Sequence, residues 1–222
     1  MSHPGPLNNY FLPYLPENID NLLILDCGFG HGEWAFRIRT DPRFKGRPHI
    51  AGLDLHEPFL LKQKSLGLYD ELHQCDVLNI PYPDNFDIVI ASEIIEHLPK
   101  EDGYKMMDEI ERVSRKLVII TTPIGFMKQK ATEGNIHQEH QSGWHSTEFT
   151  KRGYSVEIAN TRMMTRMVRM VDTMRRIVFN LKKRPDALIA VQTLIKADSD
   201  SIMEPEENLV LDSTMETPTQ HA

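Results

Sequence analysis

The sequence predicts an α/β protein built on a largely parallel sheet with helices on both faces. Three observations carry that expectation. Short apolar runs alternate with segments of helical spacing through residue 122. The first run leads straight into a glycine-rich turn, "CGFGHGEW". An aspartate ends each of the first three runs.

In chain order, strands are expected at "LLILD" (22–26), "HIAGLD" (49–54), "ELHQCD" (71–76), "FDIVIA" (86–91) and "KLVIITT" (116–122). Their unbroken apolar character suits strands covered on both faces. Helices are expected over 32–40, 57–66 and 100–114. In the last, Met106, Met107, Ile110 and Val113 form a stripe, and Pro99 stands where the first turn tolerates proline. Repeated β-α-β units of this kind close as right-handed crossovers on a parallel sheet. A polar, histidine-rich loop then runs to about residue 144. A short helix (146–152), a strand "YSVEIA", a long amphipathic helix (about 161–183) and a last strand (187–197) follow.

Length and charge narrow the class. The 222 residues suit one full-sized domain, with 40% hydrophobic content to build its core. The net charge of −7 is unevenly placed: seven acids and no Lys or Arg fall in 198–222, and the remaining 25 acids match 25 bases. Residues 1–197 therefore read as a neutral domain and 198–222 as an acidic, disordered tail. A neutral domain does not suggest a nucleic-acid binder. Cys27 and Cys75 lack metal-type spacing, so reduced thiols and a cytoplasmic location are expected. The N-terminus has no signal-peptide pattern, and no apolar run is long enough to span a bilayer.

Gly28, Gly30 and Gly32 allow a tight turn and close backbone approach to a ligand. In an open parallel sheet, ligands sit at the carboxyl ends of strands. Asp26, Asp54 and Asp76, at three successive strand ends, should converge on one crevice, where an acid such as Asp54 can accept both hydroxyls of a ribose.

"LDCGFGHGEW", "GLDLHEP", "CDVLNIPYPDNFDIVIASEIIEHL" and "RKLVIITTP" together resemble the class I S-adenosylmethionine-dependent methyltransferases over about residues 20–160. The resemblance implies a Rossmann-like, seven-stranded sheet of order 3-2-1-4-5-7-6 with the last strand antiparallel. It implies contacts to the methionine moiety from Asp26, Gly28, Gly30 and Gly32, to the ribose from Asp54 with Leu55 beside it, and to the adenine edge from Asp76 and Val77. Cys27 and Phe29 are bulkier than many residues in this loop.

After the fourth strand, "SEIIEH" presents Glu93, Glu96 and His97 on the side where the methyl group is expected. They can line the acceptor pocket, run acid–base chemistry or hold a metal. Glu-x-x-Glu-His is similar to the metal motif of small-RNA 3′-end 2′-O-methyltransferases and to ubiquinone-pathway O-methyltransferases, which add a later histidine. Among His137, His140 and His145, His140 followed by Trp144 and "STEF" is the best match. Glu93, Glu96, His97 and His140 would suit Mn²⁺, Fe²⁺ or Zn²⁺. Without a metal, the preferred version, His97 or His140 serves as base beside Glu93.

The 161–183 helix, inserted after the sixth strand, is expected to cover the acceptor with its methionines. "TTPIG…H…SGW…EF…GY" resembles methyltransferases of glycan and secondary metabolism. The expected activity is O-methylation of a small molecule or saccharide. A metal-dependent RNA 2′-O-methyltransferase and a non-catalytic S-adenosylmethionine-binding protein are the alternatives.

Overall fold

The computed structural model describes residues 11–131, 135–159 and 187–194. Seven strands form one sheet: β1 (Leu23–Cys27), β2 (His49–Asp54), β3 (Glu71–Gln74), β4 (Phe86–Ser92), β5 (Ser114–Pro123), β6 (Ser155–Ala159) and β7 (Ala187–Thr193). Their spatial order is β3-β2-β1-β4-β5-β7-β6, as the resemblance implies. β1 to β5 pair in parallel, and β7 runs antiparallel to both β5 and β6.

The continuous apolar runs reflect helix cover on both faces. Along β1, Ile24 belongs to one core and Leu25 to the other. The Leu25 side is covered by α3 (Lys100–Val113), whose Met106, Met107, Ile110 and Val113 are fully buried. Each such side chain contributes about 1.5–3 kcal/mol by leaving water. The Ile24 side is covered by α1 (Glu33–Thr40), through Trp34, Ala35 and Ile38, and by Leu60 of α2 (Glu57–Leu66). A short α4 (Ser146–Thr150) precedes β6.

Several ends shift. α3 passes into β5 at Ser114 without a loop, because Ser114 Oγ donates to the Leu117 carbonyl and the backbone is already extended there. β3 stops at Gln74, so Asp76 lies two residues beyond the strand and not at its end. β7 ends at Thr193. The helix expected over 161–183, the end of the last expected strand (195–197) and the acidic tail lie outside the described residues. An N-terminal contact unseen in the sequence stacks Phe11 on Trp34, with ring centroids 3.9 Å apart. Among the described residues no helix is long and apolar enough to cross a membrane.

Candidate functional site

The turn after β1 is built on left-handed backbone: Gly28, Gly30 and Gly32 have φ of 63°, 51° and 75°. Only glycine adopts such a series without strain. The Gly28 amide donates to the Leu53 carbonyl at 2.7 Å and the Gly30 amide to Asp54 Oδ2 at 2.9 Å, so the turn is pinned to the end of β2. The other Asp54 oxygen accepts from the His56 amide at 2.8 Å. Burial raises the Asp54 carboxyl against the lowering effect of these two amides, with His56 and His137 adding attraction. A side chain at Gly30 would meet no atom closer than 4.0 Å, so the turn leaves an open cradle beside a buried acid and the exposed Leu55. That cradle fits a nucleoside cofactor whose backbone contacts come from glycine.

Asp26 lies beneath the same turn, only 2% exposed, and accepts a 2.7 Å hydrogen bond from the Tyr69 hydroxyl. Burial pushes its carboxyl up to about 7, Tyr69 opposes this, and Asp54 adds to it. Asp76 is exposed in the turn after β3, where Oδ1 accepts from the Leu78 amide at 2.9 Å, and Val77 beside it is buried.

The end of β4 carries the second group. Glu93 has φ 55°; its amide donates to the Thr121 carbonyl and its Oε1 accepts from the Thr121 hydroxyl at 3.2 Å. The 3₁₀ turn Ile95–His97 follows. Glu96 is buried and accepts a 2.9 Å bond from the Thr122 hydroxyl; burial, then the nearby Glu93, holds its carboxyl well above the ordinary range. His97 and His140 meet edge to face with ring centroids 4.7 Å apart. Burial, reinforced by His140, lowers His97 to about 4, and burial also lowers His140. Both rings are therefore neutral near pH 7. Nδ1 of His140 lies 2.7 Å from the Met127 carbonyl, and Nδ1 of His97 lies 3.3 Å from that of Glu139. Carbonyls only accept, so each Nδ1 carries the proton and each Nε2 keeps a lone pair.

Donor atoms of Glu96, His97 and His140 lie within 4.8 Å of one another. The chemistry of this set, one carboxylate and two neutral imidazoles tied back through Nδ1, fits a borderline divalent ion. Glu93 stands next to the group but is not part of it. His137 instead acts on Asp54, and the His145 amide is bound by Glu148 in the first turn of α4.

His140 reaches its partner because the segment after β5 is tied to the 3₁₀ turn. The amides of Gln141 and Ser142 donate to the Glu96 carbonyl at 2.8 and 3.1 Å, and Gln141 Nε2 to the His97 carbonyl at 2.7 Å. Fully buried Trp144 donates through Nε1 to Ser142 Oγ at 2.9 Å and the Ile95 carbonyl at 3.3 Å. Sequence reasoning missed Tyr69, Thr121, Thr122, Gln141 and Ser142. Only Trp144 carried a signal, as a large aromatic in a polar stretch.

Residues 24–116 match the family model for a methyltransferase domain. No curated protein sequence matches the chain significantly. A solved S-adenosylmethionine-dependent methyltransferase from Mesorhizobium loti is 17% identical, with 85% of this chain and 98% of that one covered and a TM-score of 0.55. Phosphoethanolamine N-methyltransferase 2 from Haemonchus contortus, solved with S-adenosyl-L-methionine, is 15% identical over 86% of this chain and 53% of that one, with a TM-score of 0.58. The cyclase SpnF is 16% identical over 79% and 76%, with a TM-score of 0.54. At such identities each likeness is one of fold, and one fold hosts several reactions. Residues 24–116 thus match a methyltransferase domain, and the fold is the one seen in solved S-adenosylmethionine-dependent methyltransferases.

Proposed function

We propose that the protein transfers a methyl group to a hydroxyl of a small-molecule or saccharide acceptor in the cytoplasm. The observation that carries this reading is the pair of neutral imidazoles, His97 in the turn after β4 and His140 in the segment after β5, which meet edge to face. Bound S-adenosylmethionine supplies an electrophilic methyl carbon on a sulfonium. In this reading, Asp26, Gly28, Gly30 and Gly32 seat its methionine part, Asp54 and Leu55 its ribose, and Asp76 and Val77 its adenine. Alignment of nucleophile, methyl carbon and sulfur accounts for most of the acceleration. His140 removes the acceptor proton at Nε2, and its Nδ1–H bond to the Met127 carbonyl supports the imidazolium that forms. Glu93 borders the acceptor.

A second reading rests on the 4.8 Å grouping of Glu96, His97 and His140, with Glu93 alongside. A Mn²⁺, Fe²⁺ or Zn²⁺ ion held there would lower the pKa of the acceptor hydroxyl. The same set would serve a metal-dependent RNA 2′-O-methyltransferase; the neutral balance of the first 197 residues counts against that acceptor, and a basic track beside the site would favour it. The third option is a protein that binds S-adenosylmethionine without turnover.

The deciding experiment is labelled-methyl transfer from S-adenosylmethionine over metabolite, glycan and RNA pools, with and without chelator. The proposal expects chelator-resistant labelling of a hydroxylated metabolite or glycan, lost in His140→Ala. Chelator-sensitive labelling restored by Mn²⁺, Fe²⁺ or Zn²⁺ selects the metal reading. Labelled RNA selects the RNA acceptor, and binding without labelling in any pool refutes turnover.

A further inference from the structure

The glycine turn carries a bulky residue, Phe29, where space would be expected. Its ring is 5% exposed and packs against Tyr69, with centroids 5.1 Å apart. Both rings lie over the bare backbone of Gly52 in the middle of β2. A Cβ added there would sit 2.8 Å from Phe29 Cδ1 and 2.8 Å from Tyr69 Cδ1. Gly52 thus opens the slot that lets Tyr69 reach under the turn, where its hydroxyl meets Asp26 at 2.7 Å.

We propose that Tyr69 is a positioning residue for cofactor binding: its hydroxyl holds Asp26 as a carboxylate beneath the glycine turn, so that the turn presents negative charge to a cationic ligand. The inference rests on the reading of that turn as the S-adenosylmethionine site. S-adenosylmethionine brings an ammonium and a sulfonium against one carboxylate, so a negative turn attracts it and a neutral one does not. Asp26 has little else to keep it charged. It is buried on β1, and the ionisable groups acting on it are Tyr69, from the segment before β3, and Asp54, at the end of β2. Asp54 works against ionisation. Cys27, its neighbour on β1, is itself pushed up by burial and by Asp26. His56 and His137 act on Asp54. A hydrogen bond donated to the charged form favours that form, and Tyr69 is the side chain that donates it.

The linkage follows in sign. Ligand binding that needs the carboxylate weakens as pH falls through the Asp26 titration, which lies at about 7. Removing the Tyr69 hydroxyl raises that titration further. Affinity at neutral pH then falls and returns at higher pH.

The test is calorimetry of S-adenosylmethionine binding to the full chain from pH 5.5 to 8.5, for wild type, Tyr69→Phe, Gly52→Ala and Asp26→Asn. Tyr69→Phe should bind about fivefold more weakly at pH 7 and about tenfold more weakly well below it, the effect of one hydrogen bond to a charged group. Its profile should be displaced upward by about one pH unit, since a tenfold change in affinity equals one unit of titration. Gly52→Ala crowds both rings, that of Phe29 in the turn included, so it should weaken binding at every pH and also displace the profile upward, and that displacement serves if Tyr69→Phe does not fold. Asp26→Asn should bind weakly with no slope from Asp26. Asp54 interacts with Asp26, so Asp26→Asn supplies the Asp54 slope against which the wild-type and Tyr69→Phe profiles are compared. A Tyr69→Phe profile parallel to wild type, uniformly weaker or unchanged, overturns the inference while leaving the cofactor reading intact. Wild type that binds no S-adenosylmethionine at any pH overturns the cofactor reading and this inference with it.

Discussion

Glu93 occupies the left-handed region with φ 55°, a conformation costing a residue with a Cβ about 1–2 kcal/mol. The turn out of β4 demands it, because the Glu93 amide must reach back to the Thr121 carbonyl at 2.9 Å while the chain starts the 3₁₀ turn. Glu93→Gly should therefore remain within about 1 kcal/mol of wild type in urea melts: relief of strain offsets the glycine entropy and the lost Thr121 contact. Methyl transfer should drop sharply if Glu93 borders the acceptor; full activity would remove it from the site. Asp54 works differently, since both its oxygens already hold backbone amides. Asp54→Ala should cost cofactor binding about 1.5–3 kcal/mol, as a charged hydrogen-bond acceptor is lost. Asp54→Asn, which keeps one acceptor, should lose less. Equal affinities by calorimetry for wild type and Asp54→Ala would rule out the ribose role.

At the scale of elements, the site is two pieces tied together. The 3₁₀ turn Ile95–His97 carries Glu96 and His97, and the segment after β5 carries His140. Trp144 is the pin, fully buried against Phe149 with ring centroids 5.6 Å apart and bonded to the Ile95 carbonyl. Lys100 covers it, with Nζ 3.5 Å from the ring centroid. Trp144→Ala should destabilise the protein by about 3–5 kcal/mol in denaturant melts. Below the melting range, its methyl-transfer rate should fall further than its affinity for S-adenosylhomocysteine, because His140 is displaced and the glycine turn is not. If rate and affinity fall in step, the pin supports the whole crevice and not the histidine pair.

For the whole molecule, acids of opposite behaviour shape stability with pH. Burial would raise Asp87, but the Leu23 amide and Lys116, with Arg115, hold it below its ordinary value. Asp70 is likewise lowered: the Ile50 amide, Arg39 and Arg47 outweigh its burial. Their stabilisation is complete above the unfolded value near 4 and is lost as pH falls through their folded values. Asp26, raised to about 7, has the reverse sign: it favours the folded state when protonated, and that contribution is lost as pH climbs from about 4 to 7. Ligand-free protein should therefore show its highest melting temperature near pH 5, and Asp26→Asn should flatten the fall between pH 5 and 7. An unaltered slope in that variant would show that Asp26 does not titrate there. Removing 198–222, a segment with seven acids and no Lys or Arg of its own, should leave melting temperature and cofactor affinity unchanged.

The strands were legible because burial on both faces leaves an unbroken apolar run, and the Met106–Val113 stripe because a helix on a sheet must bury one face. The glycine turn was legible because its backbone conformations admit little but glycine. Likewise, Asp26 and Asp54 could be assigned to strand ends by counting along single runs. Asp76 could not, since β3 is an edge strand whose partner β2 ends at Asp54, opposite Gln74, and the turn begins before Asp76. The pairing of Tyr69 with Asp26, 43 residues apart, and of His97 with His140 belongs to neither segment alone. Local sequence determined which residues stand at the carboxyl edge of the sheet. Only the tertiary structure decided which of them meet, because burial, and with it charge state, depends on what another part of the chain lays over each group.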